Sequence, residues 1–174
     1  MLQQNFARAY QNGDIVLFKK YSSEFLQLIA DMDQLLGTQK SFLLGNWLTD
    51  AKNWATTPQE KIYYERNARN LITLWGDKDS PLHEYSCRQW SGLLNGFYLK
   101  RWAFFVDDVL FAMDNKRPFN AEKFEVKIKE WEWKWVNGHE LYPTGTKGNT
   151  CQVANRLFKK YASEIEYAYH TTPD

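Results

Sequence analysis

Apolar positions recur at helical spacing from one end of the chain to the other. Phe6 to Tyr10 reads as the last turns of a helix closed by Asn12-Gly13, and the pattern is already running at the first residues. Asp14 can cap the next helix, whose stripe is Phe18, Phe25, Ile29, Met32 and Leu36, with Ser22 filling one position. Tyr21, Leu28 and Leu35 widen that stripe, as suits a helix packed between neighbours, and Gly37 ends it. A third helix is expected through Phe42, Leu43, Trp47 and Trp54. Thr57-Pro58-Gln59-Glu60 is the clearest start signal. Thr57 can accept from the third amide, Pro58 suits the first helical position, and Glu60 can reach back to complete a capping box. The helix that follows carries Ile62, Tyr63, Arg66, Arg69, Leu71 and Leu74 and closes at Trp75-Gly76.

Asp77 to His83 is polar and contains a proline, so it reads as a loop. A long helix is then expected from about Glu84 to Asp114, holding Trp90, Leu94, Phe97, Trp102, Phe105 and Val109. Gly92 and Gly96 fall on one face of it. Each glycine costs about 1 kcal/mol relative to alanine in a helix, so something should approach that face closely, either a neighbouring backbone or a ligand. Asn120 caps a helix with the stripe Phe124, Ile128, Trp131 and Trp135, which leaves Val126 and Trp133 on another side. After a loop from Gly138 to Asn149, the last helix holds Val153, Leu157, Tyr161 and Ile165. There is no convincing strand pattern and no repeat. The expected fold is all-α, an antiparallel bundle of about six or seven helices forming a single domain over residues 1–174.

Composition narrows the function classes. Of 174 residues 17% are aromatic, with 8 Trp and 10 Tyr, enough both to fill a core and to line a groove or domain face. The net charge of +1 comes from interspersed acids and bases, so there is no basic stripe for nucleic acid. The longest apolar stretch, Trp102 to Met113, is broken by Asp107 and Asp108, and no segment has the length of a membrane span. Cys87 and Cys151 are far apart, and His83, His139 and His170 are scattered, so no metal site is expected. The start, Met1 to Asn5, shows no export signal.

No catalytic set is complete. A Gly-rich phosphate loop and a nucleophile elbow are both missing, and the acids Glu122, Glu125, Glu130 and Glu132 are spaced as a solvated helix face. Asp107 and Asp108 are adjacent on a helix and diverge. One cluster differs. Trp75 stands at a helix end, and the loop after it returns to Glu84 and Tyr85, placing an indole face, a carboxylate and a phenol at one rim. Sugars are held by this combination, an aromatic ring against the C–H face and polar groups on the hydroxyls. The alternative is a tryptophan that plugs the end of the bundle.

Several segments taken together resemble a known family. They are Phe42-Leu43-Leu44-Gly45-Asn46-Trp47-Leu48, Tyr64-Glu65-Arg66-Asn67-Ala68-Arg69, and Leu71-Ile72-Thr73-Leu74-Trp75-Gly76. Glu84-Tyr85, Gly92-Leu93, Tyr98, Arg101-Trp102, Pro118-Phe119, Phe124 and Leu141-Tyr142-Pro143 continue the series in order. The chain is similar in these segments to the C-terminal helical domain of glycoside hydrolase family 89, the α-N-acetylglucosaminidases. The likeness implies part of an enzyme that hydrolyses terminal α-linked N-acetylglucosamine with retention, using two glutamates of a preceding (β/α)-barrel. On that reading the chain is a domain fragment with a truncated first helix, holds no catalytic residue, needs no cofactor or metal, and is inactive alone. Its expected partners are its own barrel and the glycan, with no nucleic acid or membrane.

The likeness further implies that Trp75, Tyr85 and Leu82 line one wall of the substrate pocket. The loop between Trp75 and Tyr85 is a residue longer than in the family's lysosomal member, and Glu84 stands where that enzyme has Asp. Arg69 and Arg101 are expected to pair with local acids or carbonyls, and Tyr64 and Asn67 to report packing. The family implies a secreted, periplasmic or lysosomal enzyme. The other readings of the residues are a free-standing helical module binding glycan or protein, and a purely scaffolding bundle.

Overall fold

The computed structural model describes residues 2–80 and 86–171. Among them are seven α-helices and no named strand, which agrees with the all-α bundle expected. The first two helices, α1 (Leu2–Gln11) and α2 (Ile15–Leu36), form a hairpin. Gly13 makes the turn with φ of 69°, and the Asp14 carboxylate accepts from the Leu17 amide at 2.9 Å. Phe6, Ala9 and Phe18 of this hairpin close a core with Val106 and Val109 of a later helix. Phe25, Trp102 and Phe105 pack around them edge-to-face.

The third helix departs from expectation. A 3-10 turn at Lys40–Phe42 stops at Leu43, whose extended backbone pairs with Ser91, and only then does α3 (Leu44–Asn53) begin. The pairing is reciprocal: Ser91 N–H donates to the Phe42 carbonyl at 2.8 Å, and Leu44 N–H to the Ser91 carbonyl at 3.1 Å. In the next helix, α4 (Pro58–Leu71), the capping box is formed as its sequence dictates. Glu60 N–H donates to Thr57 Oγ1 at 3.2 Å, and Thr57 N–H donates to Glu60 Oε2 at 3.2 Å.

The largest correction concerns the helix expected from Glu84. Residues 87–90 form no helix, Cys87 and Gly92 have φ of +43° and +89°, and helical structure begins only at Leu93. It opens with π-type turns at Leu94–Tyr98 and continues as α5 (Leu99–Asp114). The cause is a long-range cap. Asp33 of α2 is buried, and its carboxylate accepts from Ser91 Oγ at 3.1 Å, Gly92 N–H at 2.7 Å and Asn95 N–H at 3.0 Å. This fixes the chain entry and forces Gly92 into the left-handed region.

Two helices follow, α6 (Ala121–Val136), capped by Asn120, and α7 (Thr150–Thr171). A second core joins Leu44, Leu48, Ala68, Ile72, Leu74, Leu93, Phe97, Trp135 and Val136, drawing α3, α4, the start of α5 and the end of α6 together. Glu132, expected on a solvated face, is 3% exposed and pairs with Arg101 at 2.7 Å. On α7, Lys160 Nζ and Tyr161 Oη donate to the buried Asp31 of α2 at 2.5 and 2.7 Å. Cys87 and Cys151 are both exposed thiols, and among the described residues no helix is long and apolar enough to cross a membrane.

Candidate functional site

The expected site begins where α4 stops. Asn70 ends the helix early because its carbonyl accepts both the Thr73 amide at 3.1 Å and the Trp75 amide at 2.9 Å. Ile72, Thr73 and Leu74 are each nearly inaccessible, and Thr73 Oγ1 donates back to the Arg69 carbonyl at 2.7 Å. Three buried residues in succession leave Trp75 no freedom to sink into the core. It sits with φ of 60°, a left-handed conformation uncommon for a bulky residue, and stays 41% exposed. Such strain of about 1–3 kcal/mol persists only where the surroundings over-determine it, as at sites that present a side chain.

The chain beyond Trp75 is tied down at both described ends. At Gly76 an added Cβ would come within 2.7 Å of Ser80 Oγ, so the turn is tight. Lys78 forms an ion pair with Glu130 of α6. On the far side Ser86 Oγ donates to the Leu71 carbonyl at 2.9 Å, which returns the chain to within one helical turn of where it left. Leu82 and Tyr85, the other two wall residues expected from the sequence, and Glu84 lie outside the described residues. The structure thus leaves Trp75 41% exposed and ties Ser86 to Leu71, four residues before Trp75.

Behind this rim lies a charged cluster. Arg69 is fully buried and donates to Glu65 Oε1 through Nη2 at 3.0 Å and to the Glu140 carbonyl at 2.8 Å. Its guanidinium stacks between Trp135 and Tyr142. Glu65 also meets His139 Nδ1 at 3.2 Å and Lys52 Nζ at 3.7 Å. Burial pushes the Glu65 carboxyl up, but hydrogen bonds from Arg69 and His139, with the charges of Arg69 and Lys52, outweigh it and hold the group below the usual carboxylate range. The cluster is a brace: it fixes α4, whose end carries Trp75, to the loop before α7. Arg69 here, and Arg101 with Glu132, therefore pair with acids of the bundle, as their place in it suggested. The i, i+4 spacing of Glu65 and Arg69 was the visible signal, while His139 and Glu140 join only through the fold.

The glycine face is occupied by a side chain rather than by a helix backbone or a ligand. A Cβ at Gly92 would meet Tyr142 Cδ1 at 2.8 Å, and one at Gly96 would meet Tyr142 Oη at 2.8 Å. Gly45 approaches the next residue, with the Pro143 carbonyl oxygen 2.3 Å from an added Cβ. Tyr142 Oη accepts from Trp135 Nε1 at 3.1 Å, so the ring is held at its tip as well. Sequence reasoning saw the notch and missed what fills it.

A second group was not anticipated. Tyr98 Oη is buried with no hydrogen-bond partner, and its pKa is pushed up to about 12 by burial, with Cys87 and Glu132 adding to the effect. It lies between two small apolar cavities, one bordered by Phe25, Ile29 and Met32 and the other by Phe105, Phe124 and Ile128. Among the described residues no group of three or more His, Cys, Asp or Glu could hold a metal ion.

Comparison with known proteins agrees with this architecture. Residues 1–160 match the family described as the alpha-N-acetylglucosaminidase (NAGLU) C-terminal domain. The human alpha-N-acetylglucosaminidase is 31% identical over 135 residues, covering 78% of this chain and 18% of that protein. A family 89 glycoside hydrolase from Clostridium perfringens, solved with 2-acetamido-1,2-dideoxynojirmycin, superposes with a TM-score of 0.80 at 33% identity, covering 92% of this chain and 19% of that one. The same organism's enzyme, with two glutamates replaced by glutamine and its substrate GlcNAc-α-1,4-galactose bound, gives a TM-score of 0.81 at 30% identity, covering 94% of this chain and 20% of that one. The chain thus spans about a fifth of the length of these relatives, and it belongs to the C-terminal domain family of the α-N-acetylglucosaminidases, glycoside hydrolase family 89.

Proposed function

We propose that this chain is the helical domain of a retaining glycosidase that removes terminal α-linked N-acetylglucosamine, and that it supplies one wall of the substrate pocket. The observation that carries the reading is Trp75, a large aromatic held in a left-handed conformation and half-exposed by three buried residues before it. An indole presented in this way covers the C–H face of a pyranose, and the polar groups that bond the sugar hydroxyls come from around it. The relatives support the sugar: one is an alpha-N-acetylglucosaminidase, and another was solved with a GlcNAc disaccharide.

The chemistry lies elsewhere in the longer protein. Retaining hydrolysis needs one carboxyl group to protonate the leaving oxygen and a second to attack the anomeric carbon, about 5 Å apart on opposite faces of the sugar. Among the described residues the buried carboxylates are committed to Arg69, Arg101, Lys160 and the amides around Gly92. The domain's part is therefore orientation. Tyr85 and Leu82 complete the wall in this proposal on the strength of the family likeness.

The test is Trp75→Ala in the full-length enzyme. Losing the stacking surface should cost about 1–3 kcal/mol of transition-state binding, roughly ten- to hundredfold in kcat/KM on an aryl α-N-acetylglucosaminide, while Trp75→Phe retains most of it. Stability should change by less than about 1 kcal/mol, since the ring is half in solvent. Unchanged kcat/KM for the alanine variant would show that Trp75 does not touch the sugar.

A further inference from the structure

The burial of Ile72, Thr73 and Leu74 fixes the chain on the upstream side of Trp75, but a strained conformation persists only when the chain is held on both sides. On the downstream side lies a compact turn. Ser80 N–H donates to the Asp77 carbonyl at 3.2 Å, and the closeness of Ser80 to Gly76 keeps residues 76–80 folded on themselves. From this turn Lys78 Nζ reaches α6, where it donates a hydrogen bond to Glu130, 52 positions later, and pairs with its charge. That hydrogen bond, aided by the charges of Glu130 and Asp79, holds the Lys78 amine above its ordinary value. A second attraction runs the same way across the gap. Lys129, which pairs with Glu125 at 2.7 Å, is also stabilised by the charge of Asp79. Cation and anion on the turn are thus matched by anion and cation on the helix.

The helix that receives Lys78 is a firm post. Trp131 and Trp135 pack on Phe97 with ring centroids 5.5 and 4.9 Å apart, and Glu132 is buried against Arg101. The end of α4 is tied to the same helix, because the Arg66 guanidinium lies over Trp133 at 5.1 Å and that of Arg69 over Trp135 at 4.9 Å. Both anchors of the chain around Trp75 therefore belong to one packed unit. Between them in sequence sits the residue with φ of 60°. Without the downstream anchor a bulky side chain would relax toward the extended or right-handed regions, which are lower in energy. We infer that the Lys78–Glu130 pair is a clamp that holds Trp75 in its presented conformation, so that Lys78 and Glu130 are positioning residues of the sugar wall. This rests on the proposed role of Trp75 and adds the groups that set its orientation without touching the sugar. The pair is partly exposed, so its grip is modest and weakened by salt.

A double-mutant cycle in the full-length enzyme tests the clamp, read as kcat/KM on an aryl α-N-acetylglucosaminide. Lys78→Met and Glu130→Gln should each lower it about two- to fivefold, the range of a partly exposed pair, while Lys78→Arg retains most of the wild-type value. The deficit of Lys78→Met should shrink as salt rises from about 0.05 to 1 M, because screening already loosens the wild-type pair. In a Trp75→Ala background Lys78→Met should have no further effect, since the residue it positions is gone. A merely stabilising residue would show additivity, and a Lys78→Met effect that persists undiminished in that background overturns the proposal. A second readout needs no activity. Hydrogen exchange of the Trp75 and Ser80 amides, whose bonds to the Asn70 and Asp77 carbonyls close the chain on either side, should quicken about two- to fivefold in Lys78→Met. Unaltered exchange there would overturn the clamp. The two readings fail apart: unchanged kcat/KM for Trp75→Ala with quickened exchange removes the sugar wall and leaves the clamp on Trp75. A Trp75→Ala defect with unaltered exchange does the reverse.

Discussion

Single residues carry much of the specification here, and glycine shows it best. Gly45 lies within α3, where helix propensity alone would make alanine better by about 1 kcal/mol. The Pro143 carbonyl at 2.3 Å from the added Cβ reverses that expectation, because a backbone oxygen in a braced loop has nowhere to go. Gly45→Ala should therefore destabilise the chain by about 2–3 kcal/mol, seen as a lowered midpoint in urea with unchanged slope. Gly96→Ala meets the hydroxyl of Tyr142 instead, a side-chain tip. Its cost should be smaller, and it should be non-additive with Tyr142→Phe in a double-mutant cycle. The sequence exposed the Gly92/Gly96 notch through the penalty that helical glycines bear. It did not expose Tyr142, because no local pattern links a tyrosine in a loop to glycines some 50 residues earlier. The sequence located Trp75 at a helix end by its place before Gly76, whereas its left-handed backbone goes with the burial of Ile72, Thr73 and Leu74.

At the level of elements, boundaries set by neighbouring residues were legible and those set by distant ones were not. The Thr57–Glu60 capping box, the Asp14 and Asn120 caps and the Gly13 turn are all formed as their residue types require. Thr57→Ala should cost about 1 kcal/mol, measured by thermal unfolding, with Thr57→Ser near neutral. The helix expected from Glu84 failed for a matching reason. Its true start at Leu93 is decided by Asp33, which accepts the amides of Gly92 and Asn95 from a different helix. Asp33→Ala leaves those buried donors unsatisfied and should cost about 2–3 kcal/mol, whereas Asp14→Ala, at an exposed cap, should cost about 1 kcal/mol or less. A cap supplied from 59 positions away leaves no signature in the residues around the helix start.

Across the whole molecule the buried ion pairs join elements that share no sequence neighbourhood. Asp31 draws α7 onto α2, and Glu65 with Arg69 binds α4 to the loop before α7. Burial raises both carboxyl groups, but hydrogen bonds from Lys160, Tyr161 and Gln27 to Asp31, and from Arg69 and His139 to Glu65, outweigh it and hold both below their ordinary values of 3.8 and 4.5. A carboxyl depressed in the folded state contributes stability that is fully present above its unfolded value and is lost as the pH falls through the folded one. The thermal midpoint should therefore be flat at neutral pH and begin to drop as the pH falls below about 4.5. Glu65→Gln should lower the midpoint at pH 7 and flatten the acid limb, and a variant with an unchanged acid limb would refute the assignment. Arg69→Met strands a buried carboxylate and should cost about 3–5 kcal/mol at neutral pH. What the sequence by itself determined is the helical class, the local caps and turns and the place of Trp75 at a helix end, because each depends on residues within a turn or two of one another. Tertiary structure alone decided the start of α5, the burial of Glu132 and the tyrosine in the glycine notch. Each of these turns on which surfaces meet across the bundle, and that is a property of packing rather than of spacing along the chain.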